Sequence, residues 1–159
     1  MIEKKRRSTP KFHVAFWLSL SLSFAALYAI MALPQDFTSE YIVGKDAREY
    51  MLGIYRLSDA QLFPHDLIAN YFQSITPSGY ASLYHLMADL GITPVLLSKL
   101  LPLALGLITT GYCFAVCMQI LPVPMAGFIA TLVLNQALGL HDDIVSGTPR
   151  GFFYPLFLA

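Results

Sequence analysis

The feature that most limits what this chain can fold into is an unbroken apolar run. From Phe12 to Leu33 no side chain carries a fixed charge, and the polar positions are His13 and three serines. About 22 residues at roughly 1.5 Å each cover the ~30 Å hydrocarbon core of a bilayer. Two more apolar stretches follow, at 94–121 and 125–140. A water-soluble domain is typically about half apolar and about a quarter charged. Here 56% of residues are hydrophobic and only 13% are charged. Lys+Arg and Asp+Glu are ten each, so net charge identifies no partner, but their placement is uneven. Lys4, Lys5, Arg6, Arg7 and Lys11 crowd the N-terminus, and seven of the acids lie between Asp36 and Asp89. This pattern excludes a soluble globule, a disordered tail and a nucleic-acid binder. The expected fold is all-α: a polytopic membrane bundle of three full transmembrane helices and a truncated fourth, with an external loop of amphipathic helices.

Residues 1–11 read as a basic cytoplasmic N-terminus and 12–33 as the first transmembrane helix, oriented by the positive-inside rule. A cleavable signal peptide competes, with Ala32 near a cleavage site. The apolar stretch exceeds the usual 7–15 residues of such peptides and Ile30 spoils the small-x-small match, which favours a retained anchor. Residues 34–93 form the external loop. Asp46-Ala-Arg-Glu49 has the form of a capping box, predicting a helix from about Ala47 to Leu57. Asp66 predicts a cap for a short helix reaching Phe72. Ser78 or Gly79 opens another, with Tyr80, Leu83, Tyr84, Met87 and Leu90 at helical spacing and Gly91 as its stop.

The second span, 94–121, opens on Thr93-Pro94, a cap followed by proline at the first helical position. Lys99 is expected near its outer end, reaching out to the headgroups, and Pro102 is expected to kink it. Residues 122–124 make a cytoplasmic turn, and 125–140 are the third span, with Asn135 and Gln136 expected near its outer end. An external acidic loop follows at 141–150. Residues 151–159 read as the start of a truncated fourth helix, which makes the chain an N-terminal fragment, expected to be inactive alone. Cys113 and Cys117 are four apart in an apolar run, a spacing of one helix face and not of a disulfide framework or a metal site.

Topology returns two acidic groups to the outer face: Asp46 with Glu49, and Asp142 with Asp143 beside His141. Carboxylates so placed suit a general base or a divalent cation, Mg or Mn. Arg150 suits bidentate contact with phosphate. Plainer readings stand beside these. Asp46 caps a helix, Asp142 and Asp143 make a solvated turn, Arg150 anchors at the interface, and His65 and His141 are interfacial polar residues.

A first span, a long external loop with Asp46-Ala-Arg-Glu-Tyr50 near its start, and the acidic pair after the third span together resemble the GT-C superfamily. These are integral-membrane glycosyltransferases that use polyprenyl-phosphate-linked sugars. The family's first-loop motif is commonly Asp-Glu or Asp-x-Asp, where this chain has Ala47 after Asp46. Leu62-Phe63-Pro64-His65-Asp66 and Gly147-Thr148-Pro149-Arg150 also resemble segments of bacterial multi-span proteins of this layout. The resemblance implies Asp46 as the catalytic carboxylate, and Arg150, Arg48 and Lys99 at the phosphate of the lipid donor. It implies Asp142 and Asp143 as metal ligands or donor-positioning groups. It further implies a bacterial inner-membrane location with the N-terminus in the cytoplasm, and membrane lipid and a polyprenyl-phosphate-linked sugar as partners. The competing expectation is a non-catalytic multi-pass subunit or a transporter fragment.

Overall fold

A computed structural model describes residues 11–37, 64, 66–140 and 148–159. The described residues form α1 (Lys11–Phe37), α2 (Leu67–Ile75), α3 (Ser78–Asp89), α4 (Pro94–Ile120), α5 (Pro124–Leu140), a 3-10 helix (Pro149–Phe152) and α6 (Phe153–Leu158), with no strand among them. The all-α expectation holds at this level. The helix expected over 47–57 lies outside the described residues.

Local chemistry explains where these helices start and stop. Asp66 accepts from the backbone N–H of Ile68 at 2.8 Å and of Ala69 at 3.3 Å, satisfying two donors that the first turn of α2 leaves without a carbonyl. α3 ends as Gly91 predicts. At φ 82° it enters the left-handed region, and the Ile92 N–H reaches back to the Met87 carbonyl at 2.9 Å. Thr93 Oγ1 accepts from Leu96 N–H at 3.3 Å and Pro94 takes the first position of α4, which continues through Pro102. α1 runs four residues beyond the expected Leu33, to Phe37. The apolar run marks where the side chains change character, and backbone hydrogen bonding carries the helix past that point.

α1, α4 and α5 pack pairwise into a three-helix bundle. Trp17 meets Phe128, and Ser21 meets Thr131, so α1 and α5 run parallel. Thr110 meets Asn135, while Gly127 lies against Phe114, so α4 runs antiparallel to α5 and hence to α1. α1 and α4, 27 residues each, are long and apolar enough to cross a membrane. Only 11% and 28% of their most apolar windows are buried, whereas a helix at the core of a soluble protein is mostly enclosed. α5 is apolar too but has 17 residues, about 25 Å.

A second packing centre sits at the other end of α4 from the α4–α5 turn. There α3 brings Tyr80 and Tyr84 against Leu97, Leu101 and Leu105 of α4 and Leu138 of α5, with Phe152 and Tyr154 closing the cluster. We call this the outer end.

Candidate functional site

Of the residues singled out from sequence, Asp46, Arg48, Asp142 and Asp143 lie outside the described residues, and Lys99 and Arg150 lie within them. Both belong to the outer end. Leu97, Ser98 and Lys99 are three consecutive buried residues, and a helix cannot bury three in a row against one flat neighbour. α4 is therefore enclosed on more than one side here, by α3 and by the 149–158 segment. The expectation that Lys99 reaches outward is corrected: it is only 8% exposed, because the packed loop covers the end of α4 where bare lipid interface was expected.

Arg150 is exposed, in a short turn held tightly from both sides. Thr148 and Gly151 flank it and are buried, and a Cβ at Gly151 would lie 3.0 Å from Leu105 Cδ1. Phe152 meets Tyr80 edge-on, with centroids 6.2 Å apart. Arg150 is thus carried on backbone that lies directly against α4, with its side chain exposed.

Tyr80 and Tyr84, one turn apart on α3, lie with ring centroids 4.7 Å apart and planes tilted by 47°, and the Tyr80 hydroxyl donates to Tyr84 Oη at 3.1 Å. Burial pushes the Tyr84 phenol above its ordinary range, and the bond from Tyr80 offsets part of that. Tyr84 therefore keeps its proton through physiological pH. Cys113 and Cys117 are free thiols, both half-buried. Among the described residues no three His, Cys, Asp or Glu side chains come together in a way that could hold a metal.

The bundle holds one polar feature that was not expected from sequence. Ser21 donates to the Trp17 carbonyl at 2.9 Å, and the Thr131 hydroxyl lies 3.0 Å from Ser21 Oγ and 2.8 Å from the Phe128 carbonyl. Asn135 Nδ2 donates to Thr110 Oγ1 at 3.0 Å and to the Thr131 carbonyl at 2.8 Å. The Thr110 hydroxyl faces Asn135 Oδ1 at 3.2 Å and the Gly106 carbonyl at 2.8 Å. One seam thereby joins all three long helices, and among the described residues no buried side-chain N or O lacks a partner.

The depth of the seam follows from chain counting. Ser21 is about 15 Å along α1 from Lys11, and Thr110 is about 15 Å along α4 from Ile120. That is half of a ~30 Å hydrocarbon core. Asn135 lies five residues before Leu140, toward the outer end of α5 as expected, and its level is shared with α4. α5 is short and packs in the register that α4 imposes, so its eleventh residue after Pro124 is level with Thr110.

No family model, curated protein or solved structure matches the chain. The outer end thus stands on its own geometry: one buried lysine, one exposed arginine on a short turn against α4, and a buried tyrosine pair. Chemically, such an end can hold an anion beside an apolar wall.

Proposed function

We propose that the chain is the N-terminal part of a membrane-embedded, GT-C-like glycosyltransferase. It would transfer a sugar from a polyprenyl-phosphate donor to an acceptor at the outer face of a bacterial inner membrane. The observation that carries this reading is the outer end itself. The segment between the two long apolar helices folds back as α3 onto α4, and the Arg150 turn packs against the same end. Two cations, Lys99 and Arg150, therefore belong to the end of the bundle to which Asp46 and the Asp142–Asp143 pair return in chain order.

In this reading Asp46 takes the proton of the acceptor hydroxyl as it attacks the anomeric carbon. Arg150, with Arg48 and Lys99, offsets the charge that develops on the departing lipid phosphate. A divalent cation, Mg or Mn, would rest on Asp142 and Asp143. The low burial of α1 and α4 supports the membrane setting, since apolar surface on this scale needs lipid or protein around it.

A second reading, a non-catalytic subunit or transporter fragment, draws on the seam at mid-depth, where solute paths carry their polar residues. Its polar atoms are already satisfied within the protein, so it ranks second.

The deciding experiment uses the longest natural form of the protein in membranes, with a radiolabelled polyprenyl-phosphate hexose as probe. Asp46→Asn is expected to lower transfer at least ~100-fold at equal abundance, the usual scale for a lost general base. Equal transfer by both forms, or none by either, removes the glycosyltransferase reading.

A further inference from the structure

Leu67, Ile68, Tyr71 and Ile75 of α2 are all exposed, Leu67 by 81%. At about 100° per residue, these four fall within about 100° of one another around the helix, and Gln73 lies on the opposite side. No Asp, Glu, Lys or Arg occurs between Leu67 and Ile75. An uncharged helix with one open apolar face needs an apolar medium or a partner on that face.

Depth identifies which. Leu140 ends α5 five residues after Asn135, and Leu105 is five residues before Thr110 on the antiparallel α4. Both therefore lie about 7 Å outward of the Thr110–Asn135 contact. The α4 end at Ile120 lies about 15 Å to the other side of it. A ~30 Å hydrocarbon core that begins there ends about 15 Å outward of Thr110, which puts Leu105 about 7 Å below the outer boundary. A Cβ at Gly151 would touch Leu105, and Phe152 beside it meets the Tyr80 ring in the first turn of α3. The last turn of α3 is joined through Gly91 to Pro94, about 16 Å outward of Leu105. α3 thus descends along α4, and its first turn comes down near the level of Leu105. Only Thr76 and Pro77 separate α2 from that turn. α2 is therefore delivered to the outer boundary of the hydrocarbon. The Gly151 segment continues at this end of the bundle into α6, where Phe153, Leu156 and Phe157 are exposed too. A membrane surrounds the bundle at one depth and meets both elements.

Amphipathic helices settle about 5–10 Å into the boundary between headgroups and acyl chains, and tyrosine is favoured at that level. We propose that α2 lies in the outer-leaflet interface, with the face of Leu67, Ile68, Tyr71 and Ile75 set into lipid. With no charge on α2, the contact needs no anionic headgroup. This rests on the membrane setting proposed above, and it is independent of the sugar-transfer chemistry.

The test is fluorescence quenching of the full chain in phosphatidylcholine vesicles brominated on the acyl chains near the headgroup, against unbrominated vesicles. Trp17, in α1, is the single tryptophan, so the unchanged protein reports whether α1 is embedded. In a Trp17→Phe background, Tyr71→Trp and, separately, Ile68→Trp place the reporter on the apolar face, and Gln73→Trp places it opposite. The expected result is at least about twofold loss of emission from both apolar-face reporters, while Gln73→Trp keeps most of its emission. Two reporters on one face guard against a folding defect in either. Quenching of Trp17 but of neither apolar-face reporter, as when a second chain covers α2, overturns the proposal and leaves the membrane setting intact. Quenching of Gln73→Trp as strong as theirs does the same. A Trp17 that the bromines do not quench overturns both.

Discussion

At the scale of single residues, the seam is where small changes should be felt most. Asn135 meets Thr110 through both its amide nitrogen and its carbonyl oxygen, so removing Thr110 takes from Asn135 Oδ1 its hydroxyl donor, while Nδ2 keeps the Thr131 carbonyl. A double-mutant cycle of Asn135→Leu and Thr110→Val, followed by equilibrium unfolding in mixed micelles, should return a coupling of about 0.6 kcal/mol, the mean for such bonds between membrane helices. No coupling would mean that the pair is held in place by packing alone. Tyr84 carries a different test. Its phenol ionises later in the folded chain than in the unfolded one, because burial disfavours the charge. Above about pH 10 the unfolded state loses protons that the folded state keeps, so stability falls as pH rises. Tyr84→Phe should lessen that fall, read as the pH dependence of thermal unfolding between neutral and strongly alkaline solution.

At the scale of elements, close backbone approach decides which positions tolerate change. A Cβ at Gly127 would stand 3.0 Å from Cδ2 and Cε2 of the Phe114 ring, and that ring is buried between helices. Gly127→Ala should push α5 off α4 at a cost of about 1–3 kcal/mol, despite alanine's better helix propensity. Thermal unfolding in detergent checks this. A gain in stability would show that the ring moves aside freely. α2 depends on its cap in another way, being a short helix with an exposed apolar stripe at Leu67, Ile68, Tyr71 and Ile75. Asp66→Ala should cost about 1 kcal/mol locally. Hydrogen exchange should speed up across Leu67–Ile75 and stay unchanged in α4; equal exchange with and without Asp66 would mean that α2 is held from elsewhere.

At the scale of the whole molecule, the proposed orientation is directly measurable. With Cys113 and Cys117 replaced by Ala, a membrane-impermeant maleimide applied from outside should label Ser82→Cys, on the exposed face of α3, and leave Ser8→Cys unlabelled until the membrane is opened. The reverse pattern would invert the bundle and detach the outer end from external chemistry. The basic cluster makes the expected direction clear, because five cations before the first apolar run resist transfer across a membrane.

Composition and local chemistry alone dictate much of this protein: the apolar lengths, the Asp66 and Thr93 caps, and the Gly91 stop all follow from residues within one turn of each other. These are short-range effects, so their outcome is written in neighbouring side chains. Three serines alternate in α1, and nothing local distinguishes them, yet Ser21 is buried while Ser19 and Ser23 are exposed. Lys99 turned inward and Asn135 met Thr110 for the same kind of reason. Each position depends on which helix packs against which, and in what register, and that is set by contacts between residues as far apart as Ser21 and Thr131. Only the assembled bundle holds that information, because a hydrogen bond in an apolar interface forms only when packing brings donor and acceptor to one level.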